Sequence, residues 1–203
     1  MMGKILDSRP YLTEEALKIC LQDRLFYEES GGGVTLSGGE PLTQPEFAIA
    51  FLKALQTERI HTVIETSGYA PSEIFNEVSA LSDMILFDIK HYDRRRHIDG
   101  TGFDNSLILD NLKNILERKI PVLPRIPVIP NYNDSKNDAL GFASLLIEMG
   151  LNCVQLLPFH QFGERKYDLL EIPYTMRGVP QLHNEDLEEF MRTITGAGIM
   201  CFV

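Results

Sequence analysis

Apolar residues along this chain fall in short runs that end in polar clusters, and the stretches between the runs carry apolar residues at helical spacing. Val34 and Leu36 form the first run, followed by HTVIET (61–66), SDMILFDIK (82–90), PVLPRIPVIP (121–130) and CVQLLPF (153–159). Helices are predicted over 13–30, about 44–57, from near Pro71, about 104–118 and 136–149. The first opens at Thr13 and puts Leu17, Cys20, Leu21 and Leu25 on one stripe, and the second has Pro45 in its first turn. Strands alternating with helices of this length predict right-handed βαβ crossovers and a parallel sheet. An open doubly wound sheet and a barrel share that alternation. Polar residues stand at the carboxyl end of every strand rather than at one switch point, which favours a partial (β/α) barrel. The regular repeat covers about 12–160; the segment 161–203 is irregular, with a helix over HNEDLEEFMRTITGAG and a short terminal strand in IMCFV. The chain is therefore expected to form one domain over 1–203.

Composition narrows the classes. A net charge of −10 disfavours nucleic acid, because neutralising phosphates needs a dense basic face, and Arg94-Arg95-Arg96 reads as a solvated loop. No apolar run reaches the ~18 residues of a membrane span. The start MMGKILDSRP lacks the apolar core of a signal peptide, so a cytoplasmic location is expected. Cys20, Cys153 and Cys201 lie far apart, with no metal-ligand spacing and no disulfide framework, and read as small buried hydrophobes.

On a barrel the strand ends share one face, so the polar residues there converge. They are Ser37-Gly38-Gly39-Glu40, Glu65-Thr66-Ser67-Gly68, Asp88 and Lys90, Arg125 with Asn131, Asn133 and Asp134 beyond it, and His160. Ser37-Gly38-Gly39 leaves backbone amides and carbonyls open to a ligand. Asp88 and Lys90 point to the same side of their strand, either toward a ligand or as a buried ion pair. Arg125 is costly to bury alone, so it either pairs with an inward acid or meets a ligand. His61, His91, His97 and His183 read as surface or cap residues. No catalytic side chain is identified.

The run GGGVTLSGGEPL, together with IETSG, LFDIK, RIPVIP, ND and LLPFH in order, resembles the activating enzymes of glycyl radical enzymes, within the radical SAM family, over about residues 12–175. DRLFYEESGGGVTLSGGEPL is most similar to the subgroup activating glycerol dehydratase-type or choline lyase-type partners, with pyruvate formate-lyase activases next. The resemblance implies a radical SAM partial barrel and a reaction. A [4Fe-4S] cluster cleaves S-adenosylmethionine reductively, and the resulting 5′-deoxyadenosyl radical takes a hydrogen from a glycine of the partner glycyl radical enzyme. Flavodoxin or ferredoxin is the implied electron donor. By position, Gly38, Gly39 and Glu40 would hold the methionine part and Lys90 its carboxylate. Glu65, Asp88 and His160 would complete the pocket, and Glu65, Thr66 and Asp88 could hold a monovalent cation. The family's CxxxCxxC motif is not found in the 203 residues, and Asn131 stands where glycine is usual. The chain is therefore expected to be a truncated barrel lacking its first strand and its cluster loop, inactive alone. The alternative is a non-redox binding or scaffolding protein on a residual barrel.

Overall fold

The structure, a computed structural model, describes residues 9–203, so the start of the N-terminal stretch read above for a signal peptide lies outside the described residues. Its strands are β1 (Gly33–Leu36), β2 (His61–Thr66), β3 (Met84–Asp88), β4 (Val122–Val128), β5 (Cys153–Pro158) and β6 (Met200–Phe202). They form a parallel sheet in the order β1-β2-β3-β4-β5-β6. Strand order never reverses, so there is no switch point, and every crossover can lie on the same side. That is the winding of a partial barrel rather than of an open doubly wound sheet.

The helices are α1 (Thr13–Cys20), α2 (Arg24–Ser30), α3 (Pro45–Thr57), α4 (Ser72–Ala80), α5 (Arg94–Thr101), α6 (Ser106–Glu117), α7 (Lys136–Glu148), α8 (Glu164–Leu170) and α9 (Glu188–Gly196). Alternation along each strand divides the sheet into two faces. Leu36, Ile64, Ile85, Phe87, Ile126, Val128, Val154 and Leu156 are buried beneath the helices. The register puts Glu65 beside Leu86, Asp88 beside Arg125 and Arg125 beside Gln155 on the opposite, concave face. At about 25 cal/mol per Å² of apolar surface removed from water, the helix-covered face is the main source of stability.

Several expectations are corrected. The predicted helix over 13–30 is interrupted by a 3-10 turn at Leu21–Asp23. The tighter turn shifts the helical register, so Leu25 is 72% exposed and Tyr27 packs inward in its place. Thr13 does not cap this segment: Leu12 holds the cap position, and its N–H donates to the Glu15 carboxylate at 3.0 Å. Arg94-Arg95-Arg96 opens helix α5, capped by Asp93, which accepts from the Arg96 N–H at 2.8 Å. Within the irregular tail, 164–170 is helical. His91 and His97 are buried, not at the surface: Tyr92, Tyr132 and Phe142 enclose the His91 ring, and the His97 ring bonds to the Phe103 carbonyl oxygen. Asn131 takes the left-handed backbone, φ 62°, that glycine would otherwise supply.

Among the described residues β1 pairs only with β2, leaving its other side as a sheet edge. Gly33 is required there, because a Cβ at this position would lie 1.9 Å from the His61 carbonyl oxygen.

Candidate functional site

A belt of polar side chains crosses the concave face at the carboxyl ends of β1 to β4. Ser37 stands beside the Glu65 carboxylate and helps to favour its ionised form. Glu65 Oε1 then meets Arg125 Nη2 at 2.6 Å, and Arg125 grips Asp88 Oδ1 through Nη2 at 2.8 Å and Nε at 3.0 Å. Lys90 Nζ stands 3.9 Å from Asp88 Oδ2. Arg125 has a 9% exposed side chain, so its charge is tolerable only because both neighbours are anionic. Lys90, 40% exposed, keeps its ammonium at the open side. Arg125, which the sequence left balanced between pairing and ligand contact, thus takes the paired arrangement.

The electrostatics follow. Burial alone would raise Glu65, but the hydrogen bond from Arg125, the neighbouring Ser37 and the charges of Arg125 and Lys90 outweigh it and hold the carboxyl below its ordinary value. Burial dominates at Asp88 and pushes it up despite Lys90 and Arg125, with the Glu65 charge adding to the rise. Arg125 resists deprotonation further: burial opposes its charge, and Glu65 and Asp88 more than restore it.

Glu40 takes a different part. Its carboxylate accepts from Thr66 Oγ1 at 2.7 Å, from the Ser67 N–H at 2.9 Å, from Ser67 Oγ at 2.8 Å and from the Leu42 N–H at 3.2 Å. It therefore ties the turn after β1 to the turn after β2. Thr66 lies on the helix-covered side at 3% exposure, and its hydroxyl also accepts from the Gly68 N–H at 2.9 Å. Its hydroxyl is not brought together with Glu65 and Asp88, which have the Arg125 guanidinium between them. Gly38 and Gly39 are exposed, with open space where side chains would stand, and Gly38 has φ 116°. His160 is exposed beyond β5, stacked on Phe162 at 4.4 Å, and its Nδ1 accepts from the Phe162 N–H at 3.3 Å.

Two further features lie beside or beyond this belt. A mostly apolar recess of about 420 Å³ follows the outer edge of β1, lined among others by Tyr11, Ile19, Cys20, Val34, Phe47 and Phe51. It holds no charged side chain and meets the belt only at Ser37. The cysteines Cys20, Cys153 and Cys201 sit on α1, β5 and β6, and burial raises the Cys201 thiol to about 11. Among the described residues no group of three or more His, Cys, Asp or Glu side chains could hold a metal ion. A [4Fe-4S] cluster needs convergent thiolates, and these three do not fit one.

Sequence reasoning placed Asn133 at the strand ends but overlooked the buried amides of Asn105 and Asn111. Asn111 Nδ2 donates to the carbonyls of Gly68 and Ala70, Asn105 Nδ2 to those of His91 and Tyr92, and Asn133 Nδ2 to those of Lys90 and Pro127. The only local signal is an asparagine in or beside an otherwise apolar helix face, as at Asn111 between Asp110 and Leu112.

The Radical SAM superfamily matches residues 4–143. The chain is 43% identical over 178 residues to a choline trimethylamine-lyase activating enzyme of Oleidesulfovibrio alaskensis, covering 86% of this chain and 57% of that one. It is 36% identical over 183 residues to a pyruvate formate-lyase 2-activating enzyme of Escherichia coli, covering 90% and 63%. Among solved structures, a domain of a pyruvate-formate lyase-activating enzyme from Bacteroides vulgatus superposes with a TM-score of 0.68 at 27% identity, over 85% of this chain and 99% of that one. The chain thus spans about half to two thirds of the length of these curated relatives.

Proposed function

Because the chain belongs to the radical SAM superfamily, we propose that it is the S-adenosylmethionine-binding part of an activating enzyme for a glycyl radical enzyme. The observation that carries this reading is the continuous belt from Ser37 through Glu65, Arg125 and Asp88 to Lys90, beside the bare backbone of Gly38 and Gly39. An amino-acid moiety needs acceptors for its ammonium and a cation for its carboxylate. Open glycine carbonyls supply the first. Lys90 supplies the second, since Arg125 is already satisfied by its two acids. Arg125 also favours the ionised forms of Glu65 and Asp88 against burial, so that they can face the ammonium and the ribose hydroxyls. Glu40 serves by holding the glycine turn in place. His160, at the end of β5, closes the far side against the adenosine.

When bound, S-adenosylmethionine supplies the source of the radical that acts on a partner glycine. The thiolates described here do not fit the cluster that would reduce it, so the part assigned to these residues is binding and orientation. The partner is a glycyl radical enzyme, the electron donor a flavodoxin or ferredoxin, and the setting the cytoplasm. Residues 1–203 act as one domain in this reading. No helix among the described residues is long and apolar enough to cross a membrane.

Calorimetric titration of the 203-residue chain with S-adenosylmethionine tests the reading. Saturable binding is expected, weakened by Lys90→Ala by about 1.5–3 kcal/mol, the worth of a charge-assisted hydrogen bond. Absence of binding, or unchanged affinity in the Lys90 variant, would count against it. Retained binding of ligands without an amino-acid moiety, with no preference for S-adenosylmethionine, would favour the scaffolding alternative.

A further inference from the structure

We infer that Asn133 is a positioning residue that sets Lys90 for its ligand, acting through the main chain at the end of β3. This rests on the proposed role of Lys90. The sheet cannot hold this part of β3 by itself. The Ile89 N–H donates to the Arg125 carbonyl oxygen at 2.8 Å, the last bond of the β3–β4 ladder. Two residues farther along β4 stands Pro127, which has no N–H to return toward β3. The ladder stops there, and the Lys90 and Pro127 carbonyls just beyond it need donors from outside the sheet.

The Asn133 side chain, with no solvent exposure, supplies them. Its two amide hydrogens go to Lys90 O at 3.0 Å and Pro127 O at 2.9 Å, one on each strand. Its Oδ1 accepts from the Ile129 N–H at 2.7 Å, which fixes the amide's orientation. The turn that brings it there depends on Asn131 at φ 62°, whose N–H donates to Asp134 Oδ1 at 3.0 Å. Asn105 continues the pattern, donating to His91 O at 3.1 Å and Tyr92 O at 3.2 Å. Three consecutive carbonyls, of Lys90, His91 and Tyr92, are thus held by buried side-chain amides. The backbone beneath an exposed lysine is left with no slack, and its long side chain starts from a fixed point.

Asparagine is specified by donor count. Aspartate has the same shape but would face two carbonyl oxygens with acceptors only, and serine has one donor on a shorter arm. The test is a double-mutant cycle in the 203-residue chain, with S-adenosylmethionine affinity by calorimetry and thermal midpoints recorded for each protein. Asn133→Asp and Asn133→Ser are combined in turn with Lys90→Ala. Each Asn133 variant is expected to weaken binding ~10-fold in the parent background and to add almost nothing once Lys90 is alanine, the non-additivity of residues acting through one another. Equal losses in both backgrounds would overturn the inference while leaving the site reading standing. A Lys90→Ala protein that binds as the parent does would sink the site reading and the inference with it. Failure of both Asn133 variants to fold would make the amide a determinant of the fold instead, and would also overturn it.

Discussion

Replacing Arg125 by methionine isolates the electrostatic logic of the belt. Arg125→Met keeps most of the side-chain length and volume but removes the cation in direct contact with both Glu65 and Asp88. Breaking a buried ion pair by deleting one partner costs roughly 3–5 kcal/mol, since the remaining charge is left without compensation. Glu65 is one third exposed and can recover some hydration, which places the expected loss at the lower end, about 3 kcal/mol at pH 7. In thermal unfolding that is roughly 6–12 °C for a chain of this size. The pH dependence separates charge from packing. In the parent, Glu65 has a lowered folded-state value, so its contribution is complete above the ordinary carboxylate range and is lost as pH falls through the lowered value. Asp88 has a raised value, so its ionised form costs stability at neutral pH and that cost is relieved as pH falls through the raised value. Without the guanidinium, burial weighs more heavily on both acids, with Lys90 still opposing it. Protonation then relieves the variant, and its deficit relative to the parent should shrink between about pH 7 and about pH 4.5. A deficit that is the same at both pH values would mean that the loss comes from packing, and the account of the belt given above would be wrong.

Other consequences are simpler to check. Glu40→Gln should cost about 1.5–3 kcal/mol in chemical denaturation, because the new amide places hydrogens against donors that a carboxylate satisfied. Gly33→Ala should cost about 1–3 kcal/mol, since its Cβ would collide with the His61 carbonyl; parent-like stability would show that β1 and β2 can part. The side of β1 left unpaired among the described residues predicts self-association, visible in sedimentation velocity and reduced by Thr35→Lys on that strand, whereas a monodisperse monomer at all concentrations would contradict it.

The alternation of strands and helices was legible because each parallel strand is an apolar run and each covering helix has one apolar face. Strand β2 falls where HTVIET predicts it, and β1 lies at the sheet edge expected of Val34–Leu36. Helix α5 was not legible: RRRHIDGT has no apolar stripe, and it is fixed by the Asp93 cap and the left-handed Gly102 at its end. Burial of His91 and His97 was missed for a related reason, since their covering rings come from Tyr132 and Phe142 or their partners from a turn. The sequence placed Glu65, Asp88 and Lys90 at strand ends, and their register across β2, β3 and β4 follows from the same alternation. What it could not give is where a carboxylate turns after a loop. Glu40 is adjacent to the glycines in sequence, yet its donors other than the Leu42 N–H come from the end of β2, and nothing in its own neighbourhood announces those. The amides of Asn105 and Asn111 escape notice for the same reason, being matched to carbonyls 13 to 43 residues away.

The belt also bears on how a small molecule arrives. Glu65 and Asp88 are matched by Arg125 and Lys90, so the mouth sums to about zero on a chain whose net charge is −10. Its near field sorts the ends of a zwitterion without pulling on the whole. The far field is set by the surrounding acidic surface and draws in cations over a Debye length of about 8 Å at physiological ionic strength. Added salt should therefore slow the encounter with a sulfonium ligand of net positive charge, while the short contacts that orient it, lying well inside that length, lose far less.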